Sequence, residues 1–203
     1  MIATKHAPRS DVRGARERLL DTASRLFYSE GVQTVGIDRI LEESGVAKST
    51  LYKAFGSKDA LVRAYLQRRH DTTTQRLTDA LAPVTNAREK ILTVFDIQAH
   101  TFAEPDFNGC AFVAAAAEAA PGSSIDDAAG EFRAWIRTMF RDLCVELGAE
   151  QSDKMARQLH TLYDGASLSA RMDHDPRVAL DARQAAAVLI DAAVSHSPES
   201  GQQ

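Results

Sequence analysis

Cysteine is scarce in this chain, with Cys110 and Cys144 the only two among 203 residues. They share no motif and no metal-ligand spacing. That excludes a disulfide-stapled scaffold and a cysteine-rich zinc site, and it fits a reducing compartment. Long apolar runs are also missing. The weakly polar stretch from Gly109 to Ala120 is too short and too rich in alanine to span a bilayer. Met1 to Asp11 is polar and has no apolar centre, so no secretory signal is expected. The expected location is therefore cytoplasmic, with no membrane partner. The chain has no nucleophile motif, no glycine-rich phosphate loop and no clustered histidines. Asp173-His174-Asp175 reads as solvated turn residues before Pro176, not as a metal site. No enzyme and no cofactor is expected. No stretch shows strand alternation.

What is present is ordinary in amount but uneven in distribution. Hydrophobic residues make up 44% and charged residues 26%, as in a globular protein. The net charge of −4 at first speaks against an anionic partner. Residues 1–81, however, hold 14 Lys and Arg against 10 Asp and Glu, while residues 82–203 hold 10 against 18. A basic first part is joined to an acidic remainder, and only the first part has the sign that attracts nucleic acid.

Apolar residues recur at helical spacing along the whole chain. Leu19, Leu20, Ala23, Leu26 and Phe27 predict a helix over 13–30, stopped by Gly31. Ile37, Ile40 and Leu41 predict a short second helix over 37–43, closed at Ser44-Gly45. A third is expected over 48–55, ended by Gly56. Ser57 then reads as the N-cap of a long helix over 58–81, closed by Pro83. Further helices are expected over 87–102, 108–120, 123–147, 152–172 and 181–194, about nine in all. The segment before residue 13 is expected to be a flexible basic arm, and 196–203 a flexible tail.

The stretch GVAKSTLYKAFGSKDAL, from Gly45 to Leu61, carries the functional signal. Two short helices joined by a tight turn at Gly45 match a helix-turn-helix. Such a motif needs an apolar anchor on the inner face of its second helix, here Leu51 with Phe55 behind it. Lys48, Ser49, Thr50, Tyr52 and Lys53 then face outward, where hydroxyls, a phenol and ammonium groups suit phosphate oxygens and base edges. Lys58 stands at a helix N-terminus, which already favours a phosphate.

Residues 13–61 resemble the DNA-binding domain of the TetR family of bacterial transcriptional regulators. The residues that carry the resemblance are Ala23, Phe27, Gly31, Ile40, Gly45-Val46, Thr50-Leu51-Tyr52, Phe55, Ser57-Lys58 and Leu61. The resemblance implies an all-α protein: an N-terminal three-helix DNA-binding domain (13–57) and a larger C-terminal ligand-binding and dimerisation domain (58–195). It implies a homodimer on a pseudo-palindromic operator in double-stranded DNA, released by a small-molecule effector. Lys48, Ser49 and Thr50 would open the recognition helix, Tyr52 and Lys58 would hold phosphates, and Arg39 would stand nearby. The chain departs from the family at one point. Members often carry two threonines before the second helix, whereas here the pair is Val35-Gly36. A phosphate contact there falls to the Gly36 backbone or to Thr34.

The resemblance also implies a pocket among the middle helices. Candidates to line it are Phe95, Gln98, Phe102, Phe107, Phe112, Trp135, Met139, Phe140 and Tyr163, with His100, His160 and Asp164 as polar groups. The same aromatic stripe also reads as ordinary core. With few charges on it, the expected effector is mainly apolar. The last two long helices would pair with their copies in a four-helix bundle, using Ala185 to Ala187, Val188, Leu189, Ile190, Ala192 and Ala193. Two alternatives stand beside this reading. Cys110 would make a redox-responsive regulator, although a buried thiol is the plainer assignment. A helical partner-binding protein without sequence-specific DNA binding is the other.

Overall fold

The structure is a computed structural model that describes residues 9–195, with side chains from 14 to 193. Among the described residues it is all-α: α1 (Arg9–Glu30), α2 (Ile37–Ser44), α3 (Lys48–Phe55), α4 (Lys58–Leu81), α5 (Ala87–Phe102), α6 (Ala111–Glu118), α7 (Ser124–Glu146), α8 (Ser152–Asp173) and α9 (Val178–Ser195). The number and order of helices meet the expectation. No helix among them is long and apolar enough to cross a membrane.

Where bounds differ from expectation, local chemistry gives the reason. Helix α1 begins at Arg9, four residues before the expected start. The expected arm before Arg9 and the tail after Ser195 lie outside the described residues. Helix α9 starts at Val178 instead of residue 181. Asp175 accepts from the Arg177 backbone N–H at 2.9 Å and also binds the Arg177 guanidinium. The turn after Pro176 thus leads straight into the helix. His174 caps α8 in the left-handed conformation, φ 53°. Arg177 pulls the Asp175 carboxyl down to about 2. The Asp173-His174-Asp175 triplet is therefore a helix end and a turn.

The chain divides into two compact units. The first joins residues up to His70 with 111–129, so α6 and the start of α7 cluster with α1–α3 and the first half of α4. Helices α1, α2 and α3 all pack on one another. Leu19, Leu26, Ile40, Leu51, Leu61 and Leu66 are completely buried there. The second unit joins 71–110 with 130–203. In it α5 packs on α9 and α8, and α8 packs on α9. Phe95, Ile91, Ile136, Phe140, Leu159 and Ile190 are completely buried there.

Candidate functional site

The turn that aims α3 is built from backbone requirements. Gly45 ends α2 with φ 64° and ψ 25°, a left-handed conformation that costs an L side chain about 1–2 kcal/mol. Ala47 then opens α3 in an extended conformation without a side-chain cap. Leu51 is fully buried and fixes the inner face of α3. Arg16 lies over the Phe55 ring, its guanidinium carbon 4.8 Å from the centroid, and ties α1 to the end of α3.

The outer face of α3 presents the expected groups. Lys48, Ser49, Tyr52 and Lys53 are exposed and Thr50 is half-buried. Tyr52 is 45% exposed, far more than a tyrosine serving as core edge. The Lys48 ammonium is held by Asp38 at 3.1 Å, which raises its pKa and keeps it charged. Ser57 accepts from the Ala60 backbone N–H at 3.1 Å and so caps α4 as expected. Lys58 follows it, half-buried, with Nζ 3.5 Å from the Gln33 carbonyl.

Two expected contact residues stand in altered surroundings. Arg39 is exposed, but its guanidinium is held by Glu30 and by Glu43, which raises its pKa. Its charge is balanced within the protein. Gly36 caps α2 in an extended conformation, φ −79°, with no side-chain hydrogen bond. Thr34 beside it is exposed. Any residue adopts that φ, and a Cβ at Gly36 meets nothing within 4 Å. Gly36→Thr should therefore supply the missing hydroxyl cap. The expected gain is a few tenths of a kcal/mol in thermal unfolding. DNA affinity should rise about 2- to 10-fold if the hydroxyl also reaches a phosphate.

One residue of this unit escaped sequence reasoning. Glu118, the last residue of α6, accepts from the Gln33 backbone N–H at 2.6 Å, and its own carbonyl accepts from the Gln33 side chain at 3.3 Å. Its carboxylate also lies where a side chain at Gly31, φ 92°, would stand. Helix α6 thus grips the turn between α1 and α2, beside Lys58. Nothing in the local sequence marks a glutamate at the end of an alanine run for this task.

The expected pocket residues separate into two groups. Phe95, Gln98, Phe102 and Tyr163 belong to the second unit, with Phe140 6.0 Å from Phe95 and 6.1 Å from Tyr163. Trp135 and Met139 are half-buried on the flank of α7, and Trp135 stacks 5.7 Å from Phe132. Phe102 pairs with Phe107 at 4.8 Å. Phe112 belongs to the first unit, edge-on to His70 at 6.4 Å. His160 is buried, and that burial lowers its pKa and favours the neutral ring; Asp164, 3.5 Å away, is bound by Arg133. Gln98 is 4% exposed. Its Nε2 donates to the Tyr163 carbonyl and to Ser167 Oγ, while its Oε1 has no partner. A buried acceptor left unpaired costs about 1–3 kcal/mol.

The two thiols differ sharply. Cys144 is fully buried, and burial pushes its pKa up to about 11. Cys110 is half-buried, next to Gly109, against which the stem of Arg171 packs. Thiol labelling of the native protein at pH 7 should modify Cys110 alone, and Cys144 should react only after unfolding. Mass spectrometry of the labelled peptides checks this.

Comparison with known proteins gives these features a family. The family model described as "Bacterial regulatory proteins, tetR family" matches residues 19–65, the segment that holds α2, α3 and the Gly45 turn. A TetR-family transcriptional regulator from Streptomyces coelicolor is 32% identical, and the match covers 89% of this chain and 96% of that one, with a TM-score of 0.85. The chain belongs to the TetR family. Two curated relatives match over shorter spans. The transcriptional activator FasR of Mycolicibacterium smegmatis is 37% identical over 41% of this chain and 37% of its own length. The transcriptional repressor NemR of Escherichia coli is 32% identical over 51% of this chain and 53% of its own. The chain thus spans about a third to a half of the curated relatives it matches, and these carry names of both regulatory directions.

Proposed function

We propose that this TetR-family protein is a ligand-responsive DNA-binding regulator. In this reading it is a repressor that leaves a pseudo-palindromic operator when a small, mainly apolar effector binds. The observation that carries the DNA-binding part is the outer face of α3: Lys48, Ser49, Tyr52 and Lys53 exposed above a buried Leu51. Serine, threonine and tyrosine hydroxyls there suit base edges and phosphates, and the lysines supply charge. Lys48 exchanges Asp38 for a phosphate on binding.

A homodimer is part of the proposal. Leu168 and Met172 stand one turn apart on α8 and are 57% and 70% exposed. Ala185, Val188 and Ala192 make an exposed stripe on α9, while Ala186 and Ile190 face inward. Apolar side chains in such a row suit a second copy of the same helices. In the dimer the two recognition helices should meet successive major grooves, roughly 34–36 Å apart. The effector acts by preferring a conformation with another spacing, and it shifts the balance only by its differential affinity for the two. Helix α4, which begins at Lys58 in one unit and ends at Leu81 in the other, is the proposed lever.

The test is selection of genomic fragments by the purified protein, followed by titration of one selected fragment. Lys58→Ala should weaken binding to every sequence alike. Lys48→Ala or Thr50→Ala should in addition relax sequence preference, by about 1–3 kcal/mol for a base-reading contact. Failure to enrich any sequence, with no binding at low salt, would contradict the reading. A redox reading is favoured by one observation, that Cys110 is only half-buried while Cys144 is fully buried. It predicts operator release by a thiol oxidant, abolished by Cys110→Ser.

A further inference from the structure

Gln98 is oriented by chemistry that leaves one atom free. The Tyr163 carbonyl, 2.9 Å from Nε2, only accepts hydrogen bonds. Ser167 Oγ donates its own proton to that carbonyl at 3.3 Å, so toward Gln98, at 3.1 Å, it accepts. Both contacts require the NH₂ side of the amide to face α8. The planar amide then turns Oε1 away from α8, without a partner and with the residue 4% exposed.

The surroundings describe what would satisfy it. Phe95 lies one turn before Gln98 on α5 and Phe102 one turn after. Phe140 bridges the rings of Phe95 and Tyr163. Burial raises the Tyr163 pKa and keeps its phenol protonated. The charge of Asp164 is taken by Arg133 at 2.7 Å. The neighbourhood is aromatic and buried, and an ionic ligand would give up its hydration to enter it. We infer that the effector is a neutral aromatic molecule bearing one N–H or O–H donor, and that Gln98 Oε1 accepts from that donor. The inference rests on the effector-binding part of the proposed function and names the chemistry that part would recognise.

Matched probes test it. Indole and benzofuran have nearly the same shape, and only indole carries a donor. Phenol and fluorobenzene form a second pair. Calorimetric titration of the full-length protein should show the donor member of at least one pair binding about tenfold or more tightly than its partner. Gln98→Met keeps the length of the side chain and removes the acceptor. In that variant the preference should fall to within about twofold, with the binding of benzofuran or fluorobenzene retained. Equal affinities within both pairs in the wild-type protein overturn the inference, as does a preference that survives Gln98→Met. So does the absence of binding by all four probes. Ser167→Ala keeps Oε1 in place and should preserve the preference, so it serves if Gln98→Met does not fold. Binding of a selected DNA fragment is measured on the same samples. Intact DNA binding without a donor preference removes only this inference, whereas lost DNA binding with a retained preference removes the regulator reading.

Discussion

Val188→Asp is expected to turn the protein into a folded monomer and to weaken binding to its selected operator by about 10²- to 10⁴-fold. Val188 is 65% exposed at the middle of the α9 stripe, between Ala185 and Ala192, while its neighbours Ala186 and Ile190 are fully buried. A carboxylate at an exposed position costs the monomer little. In a helix bundle between copies, the two new charges would be buried close together and unpaired. The dimer would dissociate, and with it the gain from engaging two half-sites at once, which is worth that range for linked sites. Light scattering should report the monomer mass, and circular dichroism an unchanged helix content. A Val188→Asp protein that stays dimeric would place the interface elsewhere.

The second large effect acts on the other unit. Leu51→Ala removes a completely buried side chain from the inner face of α3. Large-to-small changes of this kind cost about 2–5 kcal/mol. Helix α3 has only eight residues and no side-chain cap at Ala47, so Leu51 is its main buried anchor beside the Arg16 contact at Phe55. Specific DNA binding should be lost, whereas the proposed dimer through α8 and α9 should persist. Together the two variants separate dimerisation from DNA reading: one loses the partner copy and keeps a folded α3, the other does the reverse. If Leu51→Ala binds the operator as well as the wild type, α3 is not the reading helix.

Legibility in the sequence followed the reach of the interactions involved. Helices α3, α4 and α5 start and stop where expected because Gly45, Gly56, Ser57 and Asn86 act within a turn of their own positions. Asn86 accepts from the Glu89 N–H at 3.1 Å, a local cap. The start of α9 was misjudged because Pro176 marks the end of one element and precedes another equally well. The outward face of α3 was readable because a buried Leu51 fixes which residues point outward. The charge balance of Arg39 was half readable: Glu43 is four residues away on the same helix, but Glu30 comes from α1. Glu118 meets Gln33 across 85 residues, and no local pattern announces it. Phe112 clusters with the first unit while Phe95, Gln98, Phe102 and Tyr163 cluster with the second, a division that no local pattern carries. The free Oε1 of Gln98 depends on which atoms α8 presents to α5, which periodicity does not carry.

The most direct measurement of the central claim is the salt dependence of binding to one selected fragment. Lys48, Lys53 and Lys58 from each of two protomers give six ammonium groups for phosphate. Each phosphate neutralised on B-DNA contributes about −0.9 to the slope of log K against log salt concentration. The expected slope is about −5, reduced in size by about 2 in the Lys58→Ala dimer. A slope near zero, or one untouched by Lys58→Ala, would contradict it and favour a protein partner for the exposed face of α3.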